Sequence, residues 1–142
     1  MRIKVYHKKA IQNGFFSKSV VEVRISGYNL SDDMIVSINK VLNSFETITD
    51  YVWRCSASGD NLLLFTVEAS TTYDSEHETQ PFDKQMGHDI AQNKALIRAY
   101  KTAIKVNKHI NQIITREHLN FEDAISSKLS KQINIRNEII GD

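Results

Sequence analysis

Pro81-Phe-Asp-Lys-Gln-Met-Gly-His-Asp-Ile-Ala-Gln-Asn-Lys-Ala-Leu-Ile-Arg-Ala-Tyr-Lys-Thr-Ala-Ile-Lys-Val106 is the stretch that decides the fold. Pro81 is the only proline in the chain. It lacks a backbone N–H and cannot sit inside a helix, so it separates two kinds of structure. Asp83 follows where a carboxylate can accept from the first free N–H groups of a helix. From Lys84 onward Met86, Ile90, Ile97, Tyr100 and Ile104 return at helical spacing on one face. Ile110, Ile113 and Ile114 continue an apolar stripe. The reading is a helix of roughly 30 residues with a bend near Val106-Asn107, followed by a last helix capped by Asn120 and carrying Phe121, Ile125, Leu129 and Ile133.

Upstream of Pro81 the pattern changes to alternation. Ile3–Ala10 reads as a strand, Gln12-Asn13-Gly14 as a turn, and Val21, Val23 and Ile25 alternate with Glu22 and Arg24 as a half-buried strand, giving a candidate hairpin. Ser31 can cap a helix whose first turn carries Asp32 and Asp33. Met34, Ile35, Ile38, Val41, Leu42 and Phe45 extend that helix over about 32–45. Tyr51–Ser56 and Leu62–Ala69 are two β-rich runs, with Ser58-Gly59-Asp60-Asn61 as the turn between them. Ser70–Gln80 is read as a polar loop, either mobile or ligand-facing. The expected fold is therefore α+β. Antiparallel hairpins and one short helix occupy a strand-rich part, residues 1–80, and long helices occupy residues 81–142, all in a single domain 1–142.

The chain has 142 residues, 18 basic and 17 acidic, and a net charge of +1. Any affinity for anions must therefore be local. The single Cys55 excludes an internal disulfide and points to a reducing compartment. The N-terminus is too polar for a signal peptide, and no apolar run approaches a membrane span. A cytoplasmic protein is expected, with no membrane partner.

Two further stripes run along the long helix. Ala91, Ala95, Ala99 and Ala103 recur every fourth residue, which lets another element approach closely. Lys94, Arg98, Lys101, Lys105 and Lys108 form a cationic stripe, and no acid stands between Asp89 and Glu117. Such a stripe either solubilises a helix face or attracts phosphate. Phe82 can stack on a base or staple the helix start. The five histidines show no metal-ligand spacing, and His77-Glu-Thr79 supplies one copy of a His-x-Thr pattern whose phosphoesterase chemistry needs two. No metal, cofactor or catalytic set is expected.

The segment Gln80–Ala95, with Phe82-Asp83-Lys84, Gly87, Ile90-Ala91 and Lys94-Ala95 after a β-run, resembles a segment of small phage proteins, in particular the sponge-type Thoeris anti-defence proteins. Chain length and the strand-then-helix layout resemble that family too. The resemblance implies a non-enzymatic function: sequestration of a cyclic ADP-ribose-derived immune signal without cleavage, by dimers or larger assemblies that bind ligand near protomer contacts. Some such proteins also bind cyclic oligonucleotides. On the matched positions it implies Phe82 for adenine stacking, Asp83 for hydrogen bonds to ribose or base, Asn93 for polar contacts and Lys94 for phosphate. Charge adds Arg98 and Arg116. A homo-oligomer without cofactor is the expectation. The alternative is a small phage nucleic-acid-binding protein using the basic helix face.

Overall fold

The structure, a computed structural model, describes residues 2–141. Strand β1 (Arg2–Asn13) and strand β2 (Phe16–Tyr28) are joined by Gly14 and Phe15, and Asn13 pairs with Phe16. Gly14 takes φ 58°, the left-handed conformation that so short a connection requires and that glycine adopts at little cost. Helix α1 (Asp32–Asn43) begins as expected, with Ser31 Oγ accepting from the Met34 N–H at 3.2 Å. Strands β3 (Asp50–Cys55) and β4 (Asn61–Thr72) follow. Helix α2 then spans Lys84–Ile140, with Asp83 as its cap accepting from the Gln85 and Met86 N–H groups.

The four strands form one antiparallel sheet in the order β1-β2-β4-β3, so the fold is α+β as expected. Along β2, residues Val21, Val23 and Ile25 point to one face, opposite Val67, Phe65 and Leu63 of β4. Both helices cover that face. Ile38 and Leu42 of α1 and the buried residues of α2 join these strand residues in one core. Trp53 Nε1 donates to Asn39 at 2.6 Å and ties β3 to α1. The opposite face carries Lys18–Glu68 and Arg24–Glu22 ion pairs, with Arg24 over the Tyr6 ring at 4.7 Å. Beside it, β1 is an edge strand and mostly exposed.

Three details differ from the sequence reading. First, α2 is a single helix of 57 residues, unbroken through Val106-Asn107 and without a second start at Asn120. Asparagine costs a helix interior only about 0.7 kcal/mol, and Asn107 is held in place because Tyr28 donates its hydroxyl to Asn107 Oδ1. Second, β4 runs on to Thr72, shortening the connecting loop. Third, the helix face that meets the sheet is the alanine stripe Ala91, Ala95, Ala99 and Ala103, continued by Val106 and Ile110. Met86, Ile90, Ile97, Tyr100 and Ile104 point away from it and are exposed. Gly87 belongs to the close-approach side, since a Cβ there would come within 2.9 Å of Ser17 Oγ on β2. From Thr115 to Ile140 every helical residue is exposed. No helix among the described residues is long and apolar enough to cross a membrane.

Gly27, at φ 99°, sits where the β2–β4 register shifts, and this bulge turns Tyr28 into the core. Burial raises the Tyr28 hydroxyl pKa from 10.0 to about 12. The folded state thus keeps a proton that the unfolded chain loses above pH 10. Stability contributed by this group is complete below pH 10 and is lost between pH 10 and 12. Denaturant unfolding of the native protein and of Tyr28→Phe across that window is expected to show an extra loss of roughly 2–3 kcal/mol in the native protein only.

Candidate functional site

The cationic stripe borders a cleft formed where β3 is too short to cover β4. Strand β3 begins at Asp50, opposite Thr66, so the last residues of β4 have no β3 neighbour. The Thr49 N–H closes the pairing on the Thr66 carbonyl at 3.0 Å. Two residues further on, the exposed Glu68 carbonyl accepts from Arg98 Nη1 at 2.8 Å. Helix α2, Ser70 and the Ser44–Thr47 turn after α1 line the cleft.

The cleft encloses about 720 Å³ and is open to solvent. That volume lies within the roughly 300–1,000 Å³ usual for small-ligand sites. Lys94, Arg98, Lys101 and Lys105 line it, and Glu46 is the one acid among the lining residues. None of the four cations is in a salt bridge among the described residues. The guanidinium of Arg98 is fixed by one hydrogen bond and keeps further donors free for a planar anionic group. Ser44, Thr47 and Ser70 add hydroxyl groups, and Phe45 adds a half-buried aromatic ring. Thr47 and Thr102 hydroxyls meet at 2.9 Å and pin the turn to the helix.

Of the six residues singled out in the sequence, the structure brings only Lys94 and Arg98 into this cleft. Phe82 and Asp83 lie 16 and 15 residues before Arg98, about 22–24 Å along the helix. Phe82 packs on Phe15 and Tyr73, with ring centroids 4.8 and 5.4 Å away. The crevice there holds about 80 Å³, and Asp83 is engaged as the helix cap. Asn93 is exposed and outside the cleft. Arg116 stands on the part of α2 beyond the sheet, beside Asn120 and Asp123.

The residues that sequence reasoning missed are Phe45, Thr47 and Ser70. Phe45 was read as the end of a helix, Thr47 was assigned no role, and Ser70 was read only as the first residue of the polar Ser70–Gln80 loop. Their signal is purely spatial, because they reach the cleft from elements 24 or more residues away from Lys94.

Elsewhere, Asp74, Glu76 and His77 present ligand atoms within 4.8 Å of one another, all exposed. This cluster is explained by a turn around Asp74, which accepts from the Glu76 N–H and contacts His77 Nδ1 at 2.6 Å. Cys55 is exposed at the end of β3.

Comparison with protein-family models, with curated proteins and with solved structures gives no match for this chain.

Proposed function

We propose that this chain is a phage anti-defence protein that binds a cyclic ADP-ribose-type immune signalling nucleotide and holds it without cleaving it. The observation that carries the reading is the cleft of about 720 Å³ in which four cations face one acid. A cyclic ADP-ribose-type ligand presents a pyrophosphate, two riboses and an adenine. Lys94 and Arg98 supply charge-assisted donors for the pyrophosphate. Ser44, Thr47 and Ser70 supply hydroxyl partners for ribose, and Phe45 supplies an apolar ring. Phe82 has a different role here, since it holds the connection before α2 against Phe15 and Tyr73. The protein acts as a cytoplasmic homo-oligomer and needs no cofactor.

Isothermal titration with cyclic ADP-ribose isomers checks the reading. The expected result is saturable binding by one isomer, with the ligand recovered chemically unchanged after the protein is denatured. Absence of heat with every isomer contradicts it.

One observation favours a second reading. The cationic stripe continues past the cleft to Lys108 and Arg116, about 33 Å of helix from Lys94 to Arg116. A nucleic-acid backbone would follow such a stripe, whereas a single nucleotide cannot span it. Binding of DNA or RNA that weakens steeply with salt marks this alternative.

A further inference from the structure

Where α2 begins, it meets polar rather than apolar residues of the sheet. On the side of β2 that carries Val21, Val23 and Ile25, the strand starts instead with Ser17 and Ser19, both buried. On β1, His7, Ala10 and Gln12 stand opposite Val21, Ser19 and Ser17, on the side that α2 covers. A β-bulge gives His7 this place, because His7 pairs with Val21, Lys9 with Val20, and Lys8 is left between them. Gln12 Nε2 donates to the Lys84 carbonyl at 3.1 Å. One turn further along α2, the His88 ring meets the His7 ring, with centroids 6.0 Å apart and planes at 74°.

We propose that His7 and His88 form a two-histidine site for a late transition-metal ion, Zn²⁺ or Cu²⁺, which fastens the edge strand β1 to the start of α2. The site shares no residue with the cationic cleft and is independent of nucleotide binding. With a metal–nitrogen bond of about 2.0–2.1 Å, two imidazoles on one tetrahedral ion have ring centres about 5 Å apart. The separation of 6.0 Å is close to that distance. His7 is exposed and His88 half-buried, so small side-chain rotations close the gap without moving the backbone.

Ser19 supplies the outer partner that ligating imidazoles need. Its Oγ lies 3.4 Å from His7 Nδ1, and the residue is 0% exposed, so the hydroxyl has no solvent to turn to. With the proton on Nδ1 donated to Ser19, His7 Nε2 keeps its lone pair for a metal. The donor set selects the ion. No cysteine or carboxylate joins the two histidines in a ligand cluster among the described residues. Ca²⁺ and Mg²⁺ require oxygen ligands. Lys8 beside His7, and Lys84 one turn before His88, repel an ion held by charge alone, whereas neutral imidazole suits zinc and copper. Water fills the remaining positions, so the site is a clamp and not a closed four-ligand centre. Its two ligands come from opposite ends of the strand-then-helix layout, which is why spacing along the chain does not show it.

Titration of the untagged, chelator-stripped full chain with ZnCl₂ near neutral pH tests the proposal. One Zn²⁺ per chain is expected, with micromolar affinity. His7→Gln and His88→Gln are each expected to weaken it about 30-fold or more, and Ser19→Ala about 10-fold. The exposed Asp74–Glu76–His77 turn is the competing donor set, and His77→Ala is expected to leave the affinity unchanged. Zinc should raise the urea midpoint of the native chain and not that of the two glutamine variants. Their midpoints without metal show that they are folded. The copper-loaded chain should show splitting from two imidazole nitrogens in its paramagnetic resonance spectrum, which an edge-to-face ring contact alone cannot produce. No binding at millimolar zinc, binding that survives either glutamine change, or loss on His77→Ala alone overturns the site. None of these readouts involves nucleotide, so failure here is distinguishable from failure of nucleotide binding.

Discussion

Ala99→Leu is expected to destabilise the protein by about 3 kcal/mol or more. Ala99 is fully buried between the helix axis and the sheet, in a row with Ala91, Ala95 and Ala103. The facing residues Val21, Val23, Phe65 and Val67 are themselves fully or almost fully buried. Packed interiors leave few voids larger than a water molecule, so three added carbons have no space to enter. Either the strands deform or α2 lifts, and lifting α2 uncovers Val106 and Ile110 together with Ala99. Urea unfolding monitored by circular dichroism gives the difference. Ile104, five residues on, is 70% exposed, and in a dilute monomeric sample Ile104→Ser should change stability by under about 0.5 kcal/mol. If the two substitutions cost the same, α2 does not meet the sheet through its alanines.

Lys94→Glu is expected to weaken binding of a cyclic ADP-ribose-type ligand by roughly 100-fold without lowering stability. A hydrogen bond to a charged group contributes about 1.5–3 kcal/mol. Reversing the charge adds repulsion to that loss, and about 1.4 kcal/mol corresponds to a factor of ten. Lys94 is exposed and makes no ion pair among the described residues, so the fold does not depend on it. Arg116→Glu is the informative companion. It lies outside the cleft, and a small nucleotide bound between Lys94 and Arg98 should tolerate it within about threefold. If both substitutions cut binding equally, the ligand is long and follows the stripe, as a nucleic acid would. Titration of the two variants alongside the unaltered protein separates these outcomes.

The elements that were legible in the sequence are those fixed by local chemistry. Ser31 and Asp83 mark helix starts because a short oxygen-bearing side chain before an amphipathic run satisfies the first N–H groups. Gly14 marks a hairpin because the turn needs a positive φ. Alternation of Val21, Val23 and Ile25 gives the buried face of β2 directly. The course of α2 was harder to read. Asn107 and Asn120 resemble breaks when judged alone, but neither costs enough to stop a helix, and Tyr28 reaches Asn107 from 79 residues away. Met86, Ile90, Ile97, Tyr100 and Ile104 share one face as read, but that face is exposed, and Ile110 and Ile113, read as its continuation, lie on the buried face with the alanines. Which face meets the sheet depends on how closely the sheet approaches, and there the small residues win.

The candidate site was legible only in its charge. Lys94 and Arg98 stand out because acids are missing around them. Phe82 stands out for the same kind of local reason, next to Pro81 at a helix start. Its partners are Phe15 from the β1–β2 turn and Tyr73 from the far end of its own connection, and only the folded chain shows that its ring is already occupied. Conversely, the turn carrying Phe45 and Thr47 becomes part of a cleft only because β3 begins no earlier than Asp50, opposite Thr66, and leaves the last residues of β4 open.

The cleft is proposed to hold an anionic nucleotide and to release it unchanged. The most direct measurement is to incubate the protein with a lysate of cells producing the immune signal, repurify it, denature it, and identify the released small molecule by mass spectrometry. A cyclic ADP-ribose-type nucleotide of unaltered mass, present in the native protein and missing from Lys94→Glu, is the result expected. Release of a cleaved product, of nucleic acid, or of nothing contradicts the claim.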